Sequence, residues 1–185
     1  MELTFKNQCF DFLKRYGYQL TQEDSEYCIT YVGNNNKVIV IYSEYSKELY
    51  CQFEDIRSLK SFSLQDALCY QCYNDFKGLY QISKNEDLYK GLLYLSNVIE
   101  KVYLAIDISN VAAFNNIYDY TVEKRNKALS YYYIKEELKK ADSFFEKKRF
   151  FEARKLYKKN REYLSQVQLK KLLICGNNIY SEKTE

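Results

Sequence analysis

The residues best equipped for chemistry are six cysteines and a scatter of adjacent carboxylates. Cys69 and Cys72 form a single Cys-x-x-Cys pair in LCYQCYNDF, the spacing of redox dithiols and of half a zinc site. A zinc site needs two further ligands, and the sequence has no histidine and no second pair of this kind. A redox pair should follow a strand and open a helix with small residues between its thiols. Here Tyr70 and Gln71 intervene inside a helical pattern, so the i,i+3 spacing predicts two packed thiols on one helix face. Cysteine nucleophiles would lack a histidine base. Glu23-Asp24, Glu54-Asp55 and Glu86-Asp87 fall at turns or helix starts, where acids cap and complement the helix dipole. With five glycines and no phosphate-binding glycine loop, the chain is expected to be no enzyme and to need no cofactor or metal.

Composition bounds the elements that position these residues. Hydrophobic residues make up 46% and charged residues 29% of 185, which supports a real core and excludes global disorder. The N-terminus lacks the apolar run and cleavage site of a secretory signal. No stretch reaches the roughly 18 apolar residues of a membrane span. The thiols are therefore expected to be reduced, mostly buried, and cytoplasmic. Tyrosine numbers 21, a heavy aromatic load for a core or a recognition surface.

Apolar positions Phe5, Cys9, Phe12, Leu13 and Tyr16 recur at helical spacing before Gly17, predicting an amphipathic helix over 4–16. The period then changes to two. The runs at Tyr27–Val32, Lys37–Tyr42 and Glu48–Phe53, separated by short turns, predict a three-stranded antiparallel meander over about 26–54. Val38–Ile41 is apolar on both faces, so both sides of that strand should be covered, one by the first helix.

After Phe53 the period becomes helical. Ser63 and Asp66 make a capping box ahead of a helix over 64–76. Asn85 or Ser83 then caps a helix carrying the stripe Leu88, Leu92, Leu95, Ile99, Val102 and Ile106. The expected class is α+β: residues 1–62 as helix plus meander, and 63–185 as an all-helical bundle, with one continuous domain as the alternative.

Charge follows the same direction. Residues 1–110 carry 11 basic and 15 acidic side chains, and residues 111–185 carry 17 and 10. Acidic residues interrupt the C-terminal cations at helix-pair distance, which predicts a solvated, salt-bridged surface. Tyr131-Tyr132-Tyr133 cannot all face one core, because successive helical residues turn by about 100°.

Within KKADSFFEKKRFFEARKLYKKN, the spacing of Ala141, Phe144, Ala153 and Tyr157 resembles a tetratricopeptide repeat, without its terminal proline or a second copy. The resemblance implies one helical hairpin at about 135–165, with alanines at the helix crossing and aromatics beside it. FDFLKRYGY followed by EYCITYV, KVIVIYS and ELYCQF resembles the opening helix and meander of small immunity proteins of bacterial polymorphic-toxin systems. That resemblance implies a cytoplasmic, non-enzymatic inhibitor that binds one cognate toxin and occludes its active site. Tyr18, Tyr27, Tyr31, Tyr42, Tyr45 and Tyr50 exceed what one face of a small sheet needs for its core, which makes them the candidate partner contacts. Two other readings stand beside it: a helical regulatory or nucleic-acid-associated protein using the basic C-terminal half, and a phage inhibitor of host defence.

Overall fold

The computed structural model describes residues 9–21, 27–83 and 88–181. The chain is α+β, and it divides into two compact units, Met1–Glu123 and Lys124–Glu185. That division differs from the expected break after residue 62. Position 62/63 lies inside a β-strand, just ahead of the helix that Ser63 caps, and the helical segments as far as Glu123 belong with the sheet.

The meander is present and wider than expected, and a strand at Leu79–Gln81 falls within the span 63–185 that is expected to be all-helical. Strands β1 (Gln19–Leu20), β2 (Cys28–Val32), β3 (Asn36–Ser43), β4 (Glu48–Asp55) and β5 (Ser61–Ser63) lie in that order, all antiparallel. β6 (Leu79–Gln81) pairs the Glu48–Tyr50 half of β4, beside the stretch that β5 takes. The three added strands are two or three residues long, too short to carry a period of their own. Their existence depends on the ladder of a neighbour.

Alternation sets the two faces. Ile29, Tyr31, Val38, Val40, Leu49, Cys51 and Phe53 are buried, whereas Thr30, Ile39, Ile41, Tyr50 and Gln52 point the other way and keep some exposure. Helix α1 (Leu64–Tyr70) starts from the predicted capping box: Ser63 Oγ accepts from the Asp66 amide, and the Asp66 carboxylate accepts from the Ser63 amide. α2 (Leu88–Ala105) buries Leu92, Leu95, Ile99 and Val102 in the same core as the inner sheet face, each contributing about 1.5–3 kcal/mol.

Three expectations about local structure change. Asp11–Tyr16 is a 3-10 helix rather than the end of an α-helix, closed by Gly17 at φ 81°, and residues 4–8 lie outside the described residues. The tight form suits a six-residue segment that must turn at once into β1. The helix expected over 64–76 stops at Tyr70, because the chain has to reverse to lay β6 against β4. Cys72 therefore leaves the helix with φ 59° and is exposed, while Cys69 is half-buried. The two thiols do not share a packed helix face. Asn85 and the pair Glu86-Asp87 lie outside the described residues, as do Glu23-Asp24.

Every described element from Leu88 onward is helical. α3 (Val111–Glu146) contributes its residues from Lys124 to the second unit, followed by α4 (Phe150–Lys159) and α5 (Gln166–Ser181). Ala141, Ala153 and Tyr157 are fully buried with Leu138 and Cys175, and Phe144 packs against them half-exposed. α3 and α4 thus meet as a helical pair through these residues. Among the described residues, no helix is long and apolar enough to cross a membrane.

Candidate partner-binding surface

The six tyrosines singled out from the sequence do not form one surface. Tyr18 and Tyr31 are 1% exposed. The Tyr103 hydroxyl donates to the Tyr18 hydroxyl at 2.8 Å, and Tyr18 donates to Asn36 Oδ1, a buried network beneath the β2–β3 turn. Gly33 in that turn leaves room for the Tyr18 ring, since a β-carbon there would sit 2.9 Å from it. Tyr31 packs on Phe10, with ring centroids 6.0 Å apart. Burial raises both the Tyr18 and the Tyr103 hydroxyl pKa above the ordinary tyrosine range. These two candidates serve the core.

The other four reach the surface at different places. Tyr27 and Tyr42 pair across β2 and β3, 6.3 Å between centroids, on the core side of the sheet, with the Lys47 ammonium 6.0 Å from the Tyr42 ring. Tyr45 is fully exposed in the β3–β4 turn, where Lys47 adopts φ 56° and the Ser46 amide donates to Ser43 Oγ. Tyr50 points out of the opposite face and is 36% exposed.

Around Tyr50 the register builds a continuous apolar row. Cys28 stands opposite Ile41, Ile41 opposite Tyr50, and Tyr50 opposite Leu79, four strands in succession. Leu79 is 42% exposed, and none of the four belongs to the buried core or to the hydrophobic residues packed against it. On one side the next row is Ser43, Glu48 and Gln81, and on the other Thr30, Ile39, Gln52 and Ser63. Beyond that lies Lys37, 3.3 Å from Glu54. Apart from Ile39, which widens the apolar centre, these flanking rows are polar, and an apolar centre within a polar margin is the usual anatomy of a protein-binding patch. Sequence reasoning missed Ile41 and Leu79. The alternation of Val38 and Val40 with Ile39 and Ile41 held the signal for the first; nothing local marked the second.

A wider groove of about 590 Å³ lies between the 3-10 helix and α2, but its charged walls are paired, Arg15 with Glu100 and Asp11 with Lys14. Among the described residues, no group of three or more cysteine, aspartate or glutamate side chains could hold a metal ion. All six cysteines are unbridged; burial raises the pKa of Cys51, Cys9 and Cys175 and disfavours their thiolates.

In the second unit Tyr131, Tyr132 and Tyr133 are all more than half exposed. The chain matches no protein-family model, no curated protein and no solved structure.

Proposed function

We propose that this chain is a non-enzymatic inhibitor, an immunity protein that neutralises a cognate bacterial toxin by covering its active site. The observation that carries the reading is the apolar row Cys28–Ile41–Tyr50–Leu79 on the sheet face turned away from the core. A two-sided apolar strand such as β3 calls for cover on both faces, and the described residues of the first unit pack against one. The unit holding this face has 17 acidic and 11 basic side chains, which suits a basic partner such as a nuclease's substrate cleft. The opening helix and meander support the immunity class by resemblance.

The partner to test is a toxin identified from the genes that neighbour this one. Co-expression should protect cells from that toxin, and the purified pair should form a complex. Tyr50→Ala and Leu79→Ala should each weaken it by more than about 1 kcal/mol while leaving the melting temperature unchanged. Failure to protect, or full binding by both variants, would remove the reading.

A further inference from the structure

A groove of about 280 Å³ runs along α3, lined by Tyr131, Ile134, Lys135, Leu138, Lys139 and Tyr163. Tyr131, Lys135 and Lys139 are spaced i, i+4, i+8 and so form one ridge of the helix. Tyr163, in the 3-10 turn before α5, lines the same groove. Tyr131 is 61% and Tyr163 52% exposed, so both rings have accessible faces.

The charges leave the site cationic. Residues 124–185 hold 17 basic and 8 acidic side chains. Glu136, Glu137, Asp142 and Glu152 are bonded to Lys139, Lys159, Lys171 and Arg149. Asp142, the carboxylate inside the groove, accepts from Lys171 Nζ at 2.6 Å, the Tyr157 hydroxyl at 2.7 Å and Gln168 Nε2 at 2.9 Å, which satisfies both oxygens. Lys135 has no carboxylate partner among the described residues. The pair of Lys139 with Glu136 is exposed and weakly held.

We infer that this groove binds single-stranded nucleic acid, with bases stacked on Tyr131 and Tyr163 and phosphates on Lys135 and Lys139. An acidic polypeptide would need the cations alone. Flat aromatic faces beside cations one turn apart match stacked bases on a charged strand. The inference rests on the second unit only and is independent of the toxin-binding reading.

Fluorescence anisotropy with a short dye-labelled oligouridylate and the full chain tests it. Binding should weaken with salt at a log–log slope near about −1.4, as expected for two phosphates neutralised on a single strand. Tyr131→Leu, which fills the groove without a π-face, should weaken binding about tenfold, and Tyr131→Phe should restore it. Tyr133→Ala, about 200° around the helix from Tyr131, should change it less than about twofold. Absent binding, equal losses from Tyr131→Leu and Tyr133→Ala, or competition by polyglutamate as strong as by unlabelled oligouridylate would each overturn the inference.

Discussion

Asn36 holds a fixed position by joining two long-range contacts. Its Oδ1 accepts from Tyr18, its Nδ2 donates to the Ile108 carbonyl at 2.5 Å, and its side chain is 2% exposed. Asn36→Ala strands a buried hydroxyl and a buried carbonyl, so urea unfolding should show a loss of about 1–3 kcal/mol with an unchanged slope. A loss under about 0.5 kcal/mol would mean that water replaces the amide. The same burial makes stability fall in alkali. Tyr18, Tyr103, Tyr157 and Cys51 all have folded-state pKa values raised, chiefly by burial. Their contribution is fully present below the unfolded values, about 9 for the thiol and about 10 for the phenols, and is lost as pH rises past them. Denaturant melts should be level through neutral pH and decline above about pH 9. Tyrosinate absorbance should show a fraction of the tyrosines ionising only as the protein unfolds.

At the scale of elements, the hairpin of α3 and α4 depends on small residues where the helices meet. Ala141 and Ala153 are fully buried, and Tyr157 reaches across to Asp142. Ala153→Phe should cost about 1–3 kcal/mol by overpacking, read as a lower melting temperature. Asp142 gives this hairpin an acid limb of the opposite sign. Burial would raise its pKa, but Lys171, Tyr157 and Gln168 outweigh that and hold it below the usual carboxylate range. Its contribution is present above the unfolded value of about 4 and is lost as pH falls through the lower folded one. Asp142→Asn should flatten that acid limb in urea melts taken at falling pH. The capping box of α1 was legible because both of its partners lie within one turn. The premature end of α1 was not, because its cause is the pairing of β6 with β4, some 30 residues away in sequence.

For the whole molecule, charge is the feature that spans both units: 17 acidic against 11 basic side chains in the first, 8 against 17 in the second. If the acidic unit meets a basic toxin, added salt should slow association and leave dissociation nearly unchanged, whereas Tyr50→Ala should speed dissociation. Surface plasmon resonance across ionic strengths separates the two rates. By itself the sequence determined what depends on near neighbours: the alternation along β2, β3 and β4, the α+β class, the Leu92–Val102 stripe, the Ser63–Asp66 cap and the buried alanines of the hairpin. The tertiary structure decided which tyrosines face outward, how wide the sheet is and where the chain divides. Tyr31 and Tyr50 are each a tyrosine in an alternating strand, and only the side on which α2 packs makes one core and the other surface. β1, β5 and β6 exist through hydrogen bonds to β2 and β4, and a two- or three-residue segment has no pattern from which such distant pairing can be read.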